Sequence, residues 1–99
     1  MIRVLVADDH SIMRDGLKRI LAATPDLHVA GEAASGDEAL AAVKANDYDV
    51  VMLDMSMPGL SGIDLIKRLK LEKPKLKILV LSMHVESQYS ARALKAGAA

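Results

Sequence analysis

The sequence predicts one α/β domain, a parallel sheet wound on both faces by helices. Four short runs of β-branched and leucine residues recur along it, at Ile2–Ala7, Leu27–Gly31, Asp49–Leu53 and Lys77–Leu81. Helical periodicity fills the gaps between them, and the strands begin roughly every 22–28 residues, as βα units do. Strands that alternate with helices in this way run parallel and are joined by right-handed crossovers.

The elements follow in order. After the first strand, Met13, Leu17, Ile20 and Leu21 recur at three- and four-residue steps, with Arg14, Lys18 and Arg19 on other faces. This predicts a helix capped by Ser11 and ended by Thr24-Pro25-Asp26. The second strand mixes polar and apolar residues, as an edge strand does. Ser35-Gly36-Asp37 opens the second helix, Ala39, Leu40 and Val43 form its inward face, and Asn46-Asp47 closes it. The third and fourth strands are continuous apolar blocks, the pattern of strands covered on both faces. Between them Ser61-Gly62 opens a helix carrying Ile63, Ile66 and Leu69, which Lys73-Pro74 stops. Val85 to Ala96 reads as a fourth helix with Tyr89, Ala93 and Leu94 on one face and Gly97 as its C-cap.

Composition narrows the function. The 99 residues suit one domain, and a 52% apolar share supplies a core. Two tyrosines and no Phe or Trp leave that core to Val, Leu, Ile, Met and Ala. Thirteen basic residues balance thirteen acidic ones, so there is no electrostatic footprint for nucleic acid or an anionic membrane. The absence of cysteine excludes disulfides, thiolate metal sites and thiol chemistry. No apolar run approaches the ~20 residues that span a bilayer. Asp8 and Asp9 end the first run too early for a signal peptide, so the expected location is the cytoplasm.

In parallel sheets functional groups gather where the strands end. The first strand ends in Asp8-Asp9, the third in Asp54 and the fourth in Ser82. Taken singly these are ordinary: an acidic pair before a helix complements its dipole, and a lone aspartate closes many strands. Together, three carboxylates at one rim repel unless protons or a cation are supplied. A hard ion such as Mg2+ fits all-oxygen ligation. A carboxylate beside it can attack phosphorus, and Ser82 can donate a hydrogen bond to the product. His10 is read as a surface residue where the first helix begins, His28 as a partly exposed strand residue, and Gly59-Leu60-Ser61-Gly62 as turn chemistry rather than a phosphate cradle.

With these residues in place, the whole chain resembles the receiver domain of bacterial two-component response regulators. Asp8-Asp9 resembles the acidic pair, Asp54-Met55-Ser56-Met57-Pro58-Gly59 the phospho-acceptor loop, Leu81-Ser82 the hydroxyl position, and Ala93 to Ala98 the end of the fourth helix. Ala7-Asp8-Asp9-His10 with Met13 to Leu17 resembles the NarL-type subgroup, which carries a LuxR-type helix-turn-helix after the receiver. The resemblance implies a flavodoxin-like doubly wound sheet of order 2-1-3-4-5. It implies that Asp54 accepts a phosphoryl group from a sensor histidine kinase. Asp8, Asp9, Asp54 and the main-chain carbonyl of Ser56 are the implied Mg2+ ligands, with Mn2+ the alternative ion. Ser82 is the implied switch hydroxyl, and Met55, Met83 and His84 flank the site.

One departure matters. The family's fifth strand, its lysine and its fifth helix have no counterpart before Ala99, so residues 1–99 read as an incomplete receiver of four βα units without an effector domain. The fourth strand is then expected to be an unpaired edge, which predicts an intertwined or edge-paired homodimer, or marginal solubility, while DNA would be met only through the absent C-terminal domain. Two readings compete with a phosphorylatable module. One is a dimerisation fragment without phosphotransfer. The other, a Mg2+-dependent phosphohydrolase, is disfavoured because such enzymes usually place a second aspartate two residues after the nucleophile, where this chain has Ser56.

Overall fold

The structure, a computed structural model, describes residues 2–55, 57, 59, 60 and 62–81. The fourth helix expected over 85–96 and its cap at Gly97 lie outside the described residues, as do Ser56, Ser82, Met83 and His84.

Seven elements alternate as the sequence predicts: β1 (Ile2–Ala7), α1 (Ser11–Ala22), β2 (Leu27–Ala33), α2 (Gly36–Ala45), β3 (Val50–Asp54), α3 (Gly62–Glu72) and β4 (Lys77–Leu81). The strands form one sheet in the order β2-β1-β3-β4, parallel throughout. The chain moves outward from β1 in both directions, so β1 and β3 end side by side at the centre of one rim. That is where a doubly wound sheet presents its ligand-binding groups.

Alternation along the strands sorts the core. Leu5, Ala7, Val51, Leu53 and Ile78 point to one face and pack with Ala39 and Val43 of α2 and Leu65, Ile66 and Leu69 of α3. Val4 and Val6 point to the other face and meet Leu21, with Leu17, Val29 and Met52 half-buried around them. The second cluster is thinner because α1 is its sole helix among the described residues.

Four expectations need correction. Met13 and Ile20 are exposed, not inward, because Arg14, Leu17, Lys18 and Leu21 occupy the face of α1 that meets the sheet. Arg14 Nη1 donates to the Asp8 carbonyl at 2.6 Å, and both Arg14 and Lys18 reach Glu32, which fixes that rotation. The N-cap of α1 is His10 rather than Ser11, without a side-chain cap bond. The fourth strand is not covered on both faces: Ile78 is fully buried but Leu79 is 43% exposed. Strand boundaries also move. β2 runs two residues further, to Ala33, because Glu32 and Ala33 still pair with Val6 and Ala7. β3 starts at Val50, and the Asp49 carboxylate instead accepts from the Arg3 amide at 2.7 Å.

Other local signals hold. Ser35 Oγ accepts from the Glu38 amide at 3.2 Å and caps α2, and Asn46 ends it. Gly59 and Gly62 take φ of 73° and 62°, the left-handed backbone that glycine adopts without penalty, so this segment is a turn delivering α3. Gly36 sits so close to the Leu60 carbonyl that a Cβ there would overlap it. The start of α2 therefore rests directly on the loop that follows β3.

Candidate metal centre at the carboxyl rim

Asp8 prolongs β1 by one residue: its amide donates to the Ala33 carbonyl of β2 at 3.0 Å. Its carboxylate is buried and accepts from the His10 amide at 2.8 Å, an Asx-type closure that turns the chain from β1 into α1. Asp9, in that turn, is partly exposed. Asp54 is the last residue of β3, and its side chain is 14% exposed. The lateral pairing of β1 with β3 brings the three carboxylates to one place.

His10 joins them. Its Nδ1 lies 3.0 Å from Asp8 Oδ1, 2.9 Å from Asp9 Oδ1 and 4.0 Å from Asp54 Oδ2. One ligating atom from each of the four residues falls within 4.8 Å of the others. The hydrogen bond to Asp8, then the charge of Asp9, raises the imidazole's pKa above its ordinary 6.5. Sequence reasoning placed His10 correctly at the start of α1 and at the surface, with 65% of its side chain exposed, but missed that its ring turns back over the acids. Its position directly after the acidic pair was the available signal, because an Asx closure returns the residue two places on towards the aspartate.

The chemistry follows from the crowding. Carboxylates this close repel, and a divalent cation relieves the repulsion by sharing their oxygens. The hard oxygen donors of Asp8, Asp9 and Asp54 fit Mg2+. Met55, the remaining described member of the expected site, is buried in the core formed with α2 and α3. His28 is exposed on β2 and lines a shallow groove with Lys18, Ala22, Leu27 and Val29.

Comparison with known proteins agrees with this geometry. Residues 4–99 match the family model described as the response regulator receiver domain. The chain is 40% identical to the response regulator UvrY of Escherichia coli O6:H1 over all 99 residues, which span 45% of that relative's length. Among solved structures, a LuxR-family two-component response regulator from Aurantimonas sp. SI85-9A1 is 32% identical with a TM-score of 0.92, covering 97% of this chain and 69% of that one. The isolated receiver domain of RcsB from Salmonella enterica serovar Typhimurium, solved with the phosphomimetic BeF3-, is 31% identical with a TM-score of 0.91, covering 98% of this chain and 72% of that one. The likeness is thus to receivers of the NarL/LuxR type, and the acidic pocket is of the kind at which receiver domains bind Mg2+.

Proposed function

Because the chain belongs to the response regulator receiver family, we propose that it is the phosphoryl-accepting module of a two-component pathway, with Asp54 as the acceptor. The observation that carries this reading is the convergence of Asp8, Asp9 and Asp54 from separate segments on one point at the carboxyl rim. Asp8, Asp9, Asp54 and the Ser56 carbonyl would hold Mg2+, with Mn2+ the alternative ion. When bound, the cation neutralises charge on the incoming phosphoryl oxygens.

A carboxylate oxygen of Asp54 attacks phosphorus. The P–N bond to the phosphohistidine of a sensor histidine kinase breaks, its electron pair stays on the donor imidazole, which takes up a proton, and an acyl phosphate remains on Asp54. The Ser82 hydroxyl then donates to the new phosphoryl group and biases the region after β4 between two arrangements. Met55, Ser56, Met83 and His84 flank the reaction and tune its rate.

In this reading residues 1–99 act as a receiver within a longer cytoplasmic transcription regulator, which meets DNA through a separate helix-turn-helix domain. That these 99 residues span 45% of UvrY supports the longer chain in this reading. The module transfers a signal and is not a turnover enzyme.

Beryllofluoride with Mg2+ mimics the phosphoryl group and tests the reading. Wild-type protein is expected to show amide shift changes centred on Asp54 and Ser82, and Asp54→Asn to show none. No response in the wild type would overturn phosphoryl acceptance. β4 is the outermost strand of the described sheet, so for residues 1–99 in isolation pairing of two copies along that edge is the accompanying proposal. Light scattering that stays at monomer mass across a wide concentration range would remove that contact.

A further inference from the structure

The chain is neutral overall, but its charge is unevenly spread. Residues 67–77 hold six of its thirteen basic residues and one of its thirteen acids, so the rest of the chain carries seven basic residues against twelve acidic ones. This stretch runs from the end of α3 through a turn into β4, at the amino end of the sheet. Two of its cations are engaged inside the fold: Lys70 Nζ donates to the Leu76 carbonyl at 2.7 Å, and Lys73 Nζ lies 2.9 Å from Asp47 Oδ1. Lys67, Arg68, Lys75 and Lys77 are exposed and form no ion pair among the described residues.

Leu71 stands in the middle of this charge. α3 buries Leu65, Ile66 and Leu69 in the core, which turns Leu71 to the opposite side, where it is 80% exposed. Lys67 and Arg68 precede it by four and three residues and so flank it on the helix surface. Beyond the turn, a groove lined by Ile2, Tyr48, Lys73, Lys75 and Lys77 continues the surface. A single exposed leucine is ordinary. A leucine among unpaired cations is different, because protein contacts combine an apolar centre with arginine and a polar rim, and a basic field selects acidic partners. A phosphate backbone would satisfy the cations but leave Leu71 in water, and one leucine is too small an apolar face for a bilayer. We propose that the outer face of the end of α3, with the turn and groove beyond it, docks an acidic segment of a partner protein, whose carboxylates meet Lys67, Arg68, Lys75 and Lys77 and whose apolar side chain covers Leu71. The proposal does not depend on phosphoryl acceptance at Asp54, and occupancy here leaves the carboxyl rim open.

Fluorescence anisotropy with the full chain tests this, using a labelled amphipathic peptide of glutamate and leucine as the probe. Polyglutamate of equal length, a short duplex DNA and anionic phosphatidylglycerol vesicles are the comparisons. The peptide is expected to bind at least about tenfold more tightly than any of the three at physiological salt. The double reversal Lys67→Glu/Arg68→Glu is expected to weaken it at least about tenfold, and Leu71→Ser at least about threefold. Lys44→Glu, at an exposed position of α2, is expected to retain wild-type affinity. All four positions are exposed, so melting temperatures are expected to stay at the wild-type value. Absence of peptide binding, equal binding of polyglutamate, DNA or vesicles, or indifference to Leu71→Ser would overturn the proposal. So would a labelled second copy of the chain that binds more tightly than the peptide, since the surface would then serve self-association.

Discussion

At the amino end of the sheet, Asp47 and Asp49 meet donors the chain itself supplies. Lys73 Nζ lies 2.9 Å from Asp47 Oδ1, the Arg3 amide donates to Asp49 Oδ2 at 2.7 Å, and the Arg3 guanidinium donates to the Asp47 carbonyl while lying over the Tyr48 ring. At the carboxyl end, Asp8, Asp9 and Asp54 are gathered around one histidine ring. The residue type is the same, but only the second group concentrates negative charge at one point. Aspartates that tie neighbouring segments together do structural service. Those converging from separate strands create a demand for positive charge from outside.

The sharpest way to break this contrast is to remove one acid from each rim. Asp54→Asn is expected to abolish phosphoryl uptake from acetyl phosphate and Mg2+, whereas Asp49→Asn retains it, as intact-mass measurement would reveal. Equal labelling of both variants would erase the distinction.

Next in size is the thermal response to Mg2+. Ion at a hundred times its Kd adds about 2.7 kcal/mol, a rise of roughly 10–20 °C in Tm for a domain of this length. Asp8→Asn should lose most of that rise, yet melt about 4–8 °C higher than wild type in chelator, because about 1 kcal/mol of repulsion is relieved. Asp47→Asn should keep the full Mg2+ response. A chelated Asp8→Asn protein that melts lower than wild type would show that the acids are not crowded.

A third comparison concerns glycines. Gly36→Ala drives a Cβ into the main-chain carbonyl of Leu60 in the loop after β3, whereas Gly31→Ala meets the end of the Tyr48 side chain. Overpacking costs about 1–3 kcal/mol. Gly36→Ala is expected near the top of that range and should also weaken Mg2+ binding, since the displaced loop follows Asp54. Gly31→Ala is expected near the bottom, with Mg2+ affinity retained. Urea denaturation and calorimetry measure both effects.

The smallest expected effects are in pH. The raised pKa of His10 contributes stability that is complete below 6.5 and lost as pH climbs through the raised value. The Asp47 carboxyl is lowered by its hydrogen bond from Lys73, so its contribution is present above 3.8 and lost as pH falls through the lowered value. Ring-proton NMR should find His10 titrating above the ordinary imidazole range in chelator and losing that upward shift with saturating Mg2+. A titration curve indifferent to Mg2+ would separate the imidazole from the cation site.

Much of this was legible in the chain. Periodicity located all seven described elements, because β-branched blocks and three-to-four spacing report local geometry directly. The acids were legible because parallel strands bring their ends together whatever the intervening sequence. What escaped was set by contacts between elements. The rotation of α1 depends on Arg14 reaching the Asp8 carbonyl, so Met13 and Ile20 obeyed helical spacing and still came out exposed. The ends of β2 depend on how far β1 continues beside it, which no property of Glu32 reveals. His10 came out at the surface where α1 begins, as read, and the turn of its ring over the acids follows the local closure of its amide on Asp8.

Arg14 has one more consequence. Its guanidinium grips the main chain of Asp8 rather than the carboxylate, and its other reach is to Glu32 on the adjacent strand. The main chain of Asp8 and its carboxylate are therefore held by different groups, Arg14 and the His10 amide. A protein engineer can reset the charge of the pocket at Asp8 by a neutral amide and keep its scaffold, or loosen the scaffold at Arg14 and keep the charge.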